Sequence, residues 1–146
     1  MNHLGYACIN QGFSTLPKSQ RITTNRTMIK RTFHDRGIEY ASELALQNLR
    51  DLHTILEWNL ENDIYFYRLS SNIIPWASEY DLVDMPNFGA IHAAALKAGN
   101  FARKHGMRLT SHPGPFNKLA SPKERVYKLT ETDLSVHGDL FDLIGL

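Results

Sequence analysis

Three short apolar runs along the chain alternate with longer segments whose apolar residues recur every three or four positions. The runs are 4–9, 64–69 and 107–111, and the second is rich in aromatic residues, as strands commonly are. The segments between them have the periodicity of helices. Strands separated by helices of this length predict parallel pairing with right-handed crossovers.

Capping residues indicate where the helices begin. Ser42 is a candidate N-cap for a first helix that ends near residue 62, and a second helix is expected over 88–105. Ser and Pro at 121–122 predict a helical turn, and Thr130 predicts a separate cap for the last helix. The chain is therefore predicted to contain three strand–helix units.

The connections differ in length at the two ends of the strands. Those that follow a strand, 10–39, 70–87 and 112–121, are long and polar, whereas those that return to a strand are two or three residues long. This asymmetry is typical of an α/β fold of the parallel (β/α)8 TIM-barrel type, here a partial barrel of about three βα units in one domain over 1–146. A doubly wound sheet is the alternative, although no glycine-rich phosphate loop follows any strand.

The composition is that of a globular protein with a substantial core, since 42% of the 146 residues are hydrophobic and 21% are charged. No apolar run approaches the roughly 20 residues of a membrane helix, and the first residues lack the basic and apolar regions of a secretory signal. Cys8 is the only cysteine, so no internal disulfide can form. We expect a cytoplasmic protein with no membrane partner.

Basic residues are clustered, although the formal net charge is only +1. The segment 18–36 carries six Lys and Arg residues against one acid, and four more basic residues lie close together at 118–128. Such local patches bind phosphate groups even on a nearly neutral chain. Solvated loops are the alternative interpretation of the same pattern.

Polar side chains follow each predicted strand, at the end where the active sites of barrels lie. Tyr6 and Asn10 belong to the first strand end, Arg68 and Asn72 to the second, and His112 to the third. His112 is the best candidate metal ligand, because imidazole is the commonest nitrogen ligand and the following Pro-Gly pair fixes the turn. A hydrogen-bonded structural role is the alternative. No HExxH or GxSxG motif is present, which argues against a zincin and against a serine hydrolase.

Several short motifs resemble those of the UV damage endonuclease family, and together they extend over nearly the whole chain in the family's order. They are Leu4-Gly5-Tyr6 with Asn10, Asn25-Arg26-Thr27, Leu49-Arg50-Asp51-Leu52, Tyr67-Arg68-Leu69-Ser70-Ser71, Ile74-Pro75-Trp76, His112-Pro113-Gly114 and Leu143-Ile144-Gly145. Each motif alone is weak, whereas their order and spacing are specific.

The resemblance implies a (β/α)8 barrel that cuts double-stranded DNA on the 5′ side of a UV photoproduct, with several divalent metal ions, typically manganese. Such enzymes bend the duplex and turn the damaged dinucleotide out of the stack. A lesion already weakens base stacking, so turning it out costs less than turning out normal bases. Clustered metal ions then activate water and stabilise charge on the attacked phosphate.

The resemblance also implies roles for individual residues. His112 matches a metal ligand, and Asn72 falls where some members place a ligating histidine, although an amide oxygen is a poorer ligand. Tyr6 and Asn10 match residues that line the pocket for the flipped lesion. These four residues are spread over all three predicted strand ends.

Further residues are expected to contact the DNA itself. Pro115 and Phe116 fall where some members use a Gln-Tyr pair to probe the helix at the lesion. Phe116 is able to act as an apolar wedge, whereas Pro115 lacks the hydrogen bonds of a glutamine. Arg26, Lys30 and Arg68 are expected to contact phosphates, with burial of Arg68 against a carboxylate as the alternative.

The chain is shorter than a complete barrel of about 250 residues, and the remaining Glu, Asp and His ligands of the family fall outside it. Three parallel strands leave two open edges, so we expect Tyr65 and Tyr67 to expose apolar surface and the isolated chain to be marginally stable or self-associating. A truncated chain, a split gene product or a half-barrel completed by a second chain would each explain the length.

Two other functions remain compatible with the sequence. One is an abasic-site or sugar-processing enzyme of the same barrel superfamily. The other is a catalytically inactive fragment that binds DNA or a partner chain. Cutting at an abasic site instead of a photoproduct would favour the first, and damage-dependent retention of DNA without cutting would favour the second.

Overall fold

The computed structural model describes residues 4–146, which form a three-stranded sheet and four helices. In chain order the elements are β1 (Gly5–Ala7), α1 (Gln11–Ser14), α2 (Lys30–Glu61), β2 (Phe66–Arg68), α3 (Phe88–Lys104), β3 (Arg108–Thr110) and α4 (Glu124–Ile144), with 3₁₀ turns at Lys18–Gln20, Ala77–Glu79 and Leu82–Asp84. Residues 1–3, part of the segment in which no secretory signal was predicted, lie outside the described range. Within that range no helix combines the length with the apolar composition that a membrane span requires.

The three strands pair in parallel in the order β1-β2-β3, as the alternation of strands and helices predicted. The register aligns Ala7 with Arg68 and Arg68 with Thr110. Pairing continues past the strand ends, since the Cys8 amide donates to the Arg68 carbonyl oxygen at 2.8 Å and the Leu69 amide donates to the Thr110 carbonyl oxygen at 2.7 Å. This register fixes the relative positions of the loops that follow the strands.

Helices α2 and α3 cover one face of the sheet and enclose the hydrophobic core. Leu49, Leu52 and Leu56 of α2 are fully buried, as their helical spacing predicted, and they pack in one cluster with Ile91 of α3. Full burial of each such side chain contributes about 1.5–3 kcal/mol. Helix α4 packs against α3, so the helices form a continuous layer.

Neighbouring residues of each strand point to opposite faces of the sheet. Tyr67 of β2 faces the helices and is only 1% exposed, so the prediction that it exposes apolar surface is wrong. Tyr65, for which the same exposure was expected, is half-buried against the core cluster. The opposite face is more open, since Gly5 and Arg108 are exposed and Phe66 is half-buried.

Helix α2 begins at Lys30, well before the predicted N-cap Ser42. The long loop predicted over 10–39 is therefore wrong in its second part. Gly37 interrupts the helix with φ 66° and ψ −160°, a conformation that glycine adopts without steric cost, and this break conceals the helical periodicity of the first turns. Ser42 is buried inside the helix, where its Oγ accepts a hydrogen bond from the Asn87 amide at 3.2 Å. Its hydroxyl thus anchors the start of α3.

Helix α4 is continuous from Glu124 to Ile144, so the separate N-cap predicted at Thr130 is wrong. The Thr130 hydroxyl donates to the Val126 carbonyl oxygen one turn earlier, at 2.8 Å, and accepts a hydrogen bond from the Lys118 amide, also at 2.8 Å. A threonine that satisfies its hydroxyl in this way resembles a cap in the sequence although it lies inside a helix.

Substitution of Gly99 by alanine tests the packing of α3 on α4. An added Cβ would overlap the Ile144 carbonyl oxygen and lie 2.8 Å from Ile144 Cγ2. We expect Gly99→Ala to lower the free energy of unfolding by about 1–3 kcal/mol, as overpacked contacts do, in urea denaturation followed by circular dichroism. Gly138→Ala in α4 is the matched control, because nothing lies within 4 Å of its added Cβ. The control should be neutral or stabilising by up to about 1 kcal/mol, and equal stability of the two variants would contradict the close approach.

Candidate functional site at the strand ends

The carboxyl ends of β1, β2 and β3 lie at one edge of the sheet, because the strands are parallel and in register. Asn10 follows β1, Asn72 follows β2 and His112 follows β3. The structure thus brings together the three segments in which polar site residues were predicted. Asn10 is buried, whereas Asn72 and His112 are exposed. Only the latter two are therefore open to a ligand in solution.

Tyr6 and Asn10 are joined by a hydrogen bond, and Asn59 of α2 completes the group. Asn10 Nδ2 donates to the Tyr6 hydroxyl oxygen at 3.0 Å, and the Tyr6 hydroxyl donates to Asn59 Oδ1 at 2.7 Å. Both asparagines are buried. Burial raises the pKa of the Tyr6 phenol above its usual value, although the hydrogen bonds with Asn10 and Asn59 oppose this shift. Tyr6 is therefore a neutral phenol that holds the first strand against α2.

Asn10 also fixes the segment that follows β1. Its Oδ1 accepts a hydrogen bond from the Phe13 amide at 3.3 Å and so caps α1. The Phe13 ring packs edge-on against Trp58 of α2, with 6.0 Å between the ring centroids. Tyr6 and Asn10 thus stabilise the shape of the first strand end. Their expected contacts with a flipped lesion stay a prediction.

A second buried tyrosine, Tyr67 of β2, also holds the loop after β1. Its hydroxyl donates to the Cys8 carbonyl oxygen at 3.0 Å and lies 3.2 Å from Thr24 Oγ1. Asn25 Nδ2 donates to the same carbonyl at 3.1 Å. Cys8 itself has φ 59°, an uncommon conformation for a residue other than glycine, and these bonds hold it there. Burial raises the pKa of the Tyr67 phenol. Sequence reasoning missed this role because the partners of Tyr67 lie on distant segments.

Arg26 has an internal role. Its Nη1 donates to Asp51 Oδ2 at 2.6 Å and to the Thr23 carbonyl oxygen at 2.7 Å, while Nη2 donates to the Arg21 carbonyl oxygen at 2.8 Å. The buried side chain of Asn48 accepts from the Arg26 amide at 3.1 Å and donates to the Arg26 carbonyl oxygen at 3.0 Å. These contacts attach the segment 21–26 to α2. The expected contact of Arg26 with a phosphate stays a prediction.

Lys30 and Arg68 are in different environments from Arg26. Lys30 is exposed at the first position of α2. Arg68 is half-buried at the end of β2, and its Nε has no hydrogen-bond partner among the residues that the structure describes. None of the ion pairs within 4–146 involves Arg68, so the alternative of burial against a carboxylate finds no support in this part of the chain. A buried donor without an acceptor is unfavourable, and the expected contact of Arg68 with a phosphate stays a prediction.

The two predicted metal ligands do not make a metal site by themselves. His112 and Asn72 are exposed, and the described residues contain no group of three or more His, Cys, Asp or Glu side chains placed to hold a metal ion. Divalent metal sites in proteins use about four to eight ligands, water included. One imidazole and one amide oxygen do not fit a complete site, so a metal ion would need ligands from beyond residues 4–146.

His137 of α4 is electrostatically coupled to His112. It is buried, and its Nδ1 has no hydrogen-bond partner within the described part of the chain. Burial lowers the pKa of the His137 imidazole, the Asp133 carboxylate opposes this shift, and His112 adds to it. His137 is therefore a neutral side chain near the third strand end. No metal-binding motif in the sequence connects it with another histidine.

Pro115 and Phe116 lie in the loop after β3, and Phe116 is 86% exposed. The loop is held at two points, since the Lys118 amide donates to Thr130 Oγ1 at 2.8 Å and Asn117 Nδ2 donates to the Gly114 carbonyl oxygen at 3.0 Å. An aromatic ring presented on an anchored loop has the properties of a wedge that enters a base stack. This use of Phe116 stays a prediction.

Comparison with known proteins gives a consistent result. The sequence model of the family described as UV-endonuclease UvdE matches residues 2–146. The UV-damage endonuclease of Schizosaccharomyces pombe is 34% identical over 143 aligned residues, covering 98% of this chain and 23% of the relative. The UV DNA damage endonuclease of Clostridium perfringens is 30% identical over 139 aligned residues, covering 95% of this chain and 31% of the relative.

A solved structure extends the comparison to three dimensions. The crystal structure of SacUVDE matches with a TM-score of 0.82 and 28% sequence identity, covering 99% of this chain and 46% of that chain. Its fold is of the TIM-barrel type, so the predicted partial parallel barrel is confirmed. The chain spans less than half the length of each of these three proteins.

Tyr6→Phe tests the hydrogen-bonded group at the first strand end. The variant removes the hydroxyl that Asn10 and Asn59 share and leaves two buried amides short of a partner. We expect the free energy of unfolding to fall by about 1–3 kcal/mol in urea denaturation. Tyr127→Phe in α4, at a ring that is 42% exposed, is the matched control and should change it by less than about 0.5 kcal/mol. If Tyr6→Phe were as stable as the parent, the hydroxyl would not hold β1 in place.

Proposed function

Because this chain belongs to the UV-endonuclease UvdE family, we propose that it forms part of a DNA-repair endonuclease that nicks DNA on the 5′ side of UV photoproducts in a divalent-metal-dependent reaction. The observation that carries the proposal is the family match, which runs along nearly the whole chain. The activity belongs to a complete barrel, to which this chain contributes the first strand ends and their loops. The single free cysteine, Cys8, is consistent with the cytoplasmic location that we propose.

In the proposed reaction, the oxygen of water attacks the phosphorus of a phosphodiester beside the lesion and forms a new phosphorus–oxygen bond. The bond from phosphorus to the leaving sugar oxygen breaks, and that oxygen takes up a proton. The exposed Phe116 enters the stack at the photoproduct, where weakened stacking lowers the cost of opening the duplex. Tyr6 lines the pocket that receives the lesion, and the buried Asn10 and Asn59 hold its hydroxyl in position. Arg68 and Lys30 neutralise nearby phosphates, and the exposure of Lys30 at the first position of α2 supports its part in this assignment.

The metal requirement is the second part of the proposal. His112 and Asn72 contribute to a divalent metal site, of manganese in the proposed enzyme, only together with ligands from the remaining barrel units. When bound, such ions supply activated water and charge stabilisation at the phosphate. The contribution of this chain is to hold His112 at the edge of the sheet shared with Asn72, which the parallel register ensures.

The remaining barrel units are the third part of the proposal. Strands β1 and β3 each have one pairing partner among the described residues, so each has a free edge. Free edges of short parallel strands are stabilised by further strands, and closing the barrel removes them. We propose that further βα units, in a longer chain or in a second polypeptide, pair with these edges and supply the missing metal ligands.

A nicking assay with a chimera tests the proposed activity. In the chimera this chain replaces the matching part of SacUVDE. The substrate is a 5′-labelled duplex with one UV photoproduct, incubated with manganese. We expect the chimera to cut on the 5′ side of the lesion, and we expect no cutting by this chain alone or by the remaining part of SacUVDE alone, because neither holds a complete site.

The control substrates of this assay separate the alternatives. An undamaged duplex should stay intact. Cutting of an abasic duplex with no cutting of the photoproduct would favour an abasic-site enzyme. A folded chimera that retains damaged DNA without cutting it would favour the inactive binding fragment, and one that neither binds nor cuts would contradict the proposed function.

Manganese binding, measured by the loss of the free-ion signal in electron paramagnetic resonance, tests the metal assignment separately from activity. We expect no measurable binding to this chain alone and clear binding to the chimera. His112→Ala in the chimera should weaken binding by about tenfold or more, since removing even a supporting group costs about 10–100-fold. The matched control is His34→Ala in α2, at another exposed histidine, which should leave binding unchanged. Binding by the His112→Ala chimera as tight as that of the parent chimera would exclude His112 as a ligand.

A further inference from the structure

The segment 115–129, here named the basic arm, consists of the loop after β3 and the first turns of α4. Four exposed basic side chains lie on it against one acid, listed here in chain order: Lys118, Lys123, Glu124, Arg125 and Lys128. Glu124 pairs with Lys128 at 2.8 Å, and three cations remain without an ion pair inside the described structure. The arm is therefore a local positive surface on a chain whose formal net charge is only +1.

The arm also carries exposed apolar side chains between its cations. Leu119 is 59% exposed and Leu129 is 61% exposed, in addition to the Phe116 ring. Phe116, Leu119 and Pro122 line an open groove of about 740 Å³ together with Lys118 and Lys123. An apolar floor between amino groups is complementary to a sugar–phosphate backbone, because the deoxyribose is largely apolar and the phosphates are anionic.

The basic arm is held in shape by buried contacts. Thr130 is 1% exposed, and its hydroxyl accepts from the Lys118 amide and donates to the Val126 carbonyl oxygen. Asn117 donates to the Asp133 carboxylate and to the Gly114 carbonyl oxygen. A surface that is already ordered loses little conformational entropy when it binds, so its cations are placed in advance.

Lys123 occupies an electrostatically unfavourable position. It is the N-cap residue of α4 and makes no side-chain capping hydrogen bond. The positive end of a helix favours anions, so a lysine there opposes stability. Residues that break a stability rule are expected where a ligand compensates for them, and a phosphate would do so here.

We propose that the basic arm grips the DNA backbone beside the lesion, with Lys118, Lys123 and Arg125 on phosphates and the sugars packed on the apolar groove. The arm follows β3, so it lies at the same edge of the sheet as His112 and Asn72. This inference rests on the proposed function, which it extends from the lesion to the flanking duplex. The grip is independent of damage, because backbone contacts carry no sequence or lesion information.

The test is the salt dependence of binding to an undamaged labelled duplex, measured by fluorescence anisotropy with the full 146-residue chain. The arm variant is Lys118→Gln with Lys123→Gln. The matched control is Lys97→Gln with Lys104→Gln, two exposed lysines of α3 that lower the net charge equally. Circular dichroism melts confirm that both variants remain folded.

We expect the arm variant to bind about tenfold more weakly at 0.1 M salt and its slope of log affinity against log salt to be shallower by about two, since each lost phosphate contact removes about 0.9. The control should keep the slope of the parent. Equal changes in both variants would show that the effect depends only on net charge, and this would overturn the proposal. An unchanged arm variant, or a parent with no salt-dependent binding, would also overturn it.

The same variants in the SacUVDE chimera separate this inference from the proposed function. If the chimera nicks damaged DNA and its arm variant keeps the salt slope of the parent, the proposed backbone binding by the arm is wrong and the proposed endonuclease function stands. Loss of barrel assembly in the arm variant, with unchanged DNA binding, would assign the arm to contacts between barrel units and would also overturn the proposed backbone binding. If the chimera binds undamaged duplex through the arm but never nicks damaged DNA, the proposed backbone binding is supported and the proposed endonuclease function is contradicted.

Discussion

Backbone pairing between β1, β2 and β3 aligns Ala7, Arg68 and Thr110, and the loops that follow these residues consequently meet at one edge of the sheet. The buried tyrosines depend on the same register. Tyr67 reaches the Cys8 carbonyl oxygen because their strands are adjacent and parallel. A slip of one residue would turn its ring to the opposite face of the sheet and break that hydrogen bond. The relative positions of Asn10, Asn72 and His112 follow from this pairing.

The polar contacts behind the strand ends give the edge its shape. Asn59 and Asn48 project from the buried face of α2. Asn59 Oδ1 accepts from the Tyr6 hydroxyl of β1, and Asn48 bonds the backbone of Arg26 and the Ile73 carbonyl oxygen. Buried amides of this kind are unfavourable unless every hydrogen bond is made, so they specify one conformation of the loop. The chain thus presents a hydrogen-bonded edge on which Phe116 and His112 are exposed.

Much of the architecture was predictable from the sequence, because parallel pairing follows from the alternation of strands with helices, and the burial of the helix faces follows from local periodicity. The position of α3 and the fully buried Leu52 are examples. The start of α2 was not predictable, since Gly37 interrupts the periodic pattern inside a helix. The N-cap predicted at Thr130 was wrong for a related reason. A threonine whose hydroxyl bonds within its own helix has the same sequence signature as a cap.

The candidate site was predictable in outline only. Parallel strands place their following residues together, so Asn10, Asn72 and His112 were expected at one edge. Which side chains are engaged internally depends on residues far away in sequence, as the pairing of Arg26 with Asp51 shows. Burial against a carboxylate was the alternative for Arg68, yet it is Arg26 that forms an ion pair, with Asp51. Arg68 instead has a buried Nε without a hydrogen-bond partner in the described part of the chain.

We propose that the carboxyl edge of this sheet faces damaged DNA. Photocrosslinking tests it most directly, with a duplex that carries one UV photoproduct and a photoreactive group beside it, and with the SacUVDE chimera as the protein. Mass spectrometry of the crosslinked peptides should identify segments 8–12, 70–74 and 111–129, which follow the three strands. Crosslinks confined to 62–65 and 105–107, the connections at the opposite edge, would contradict the account.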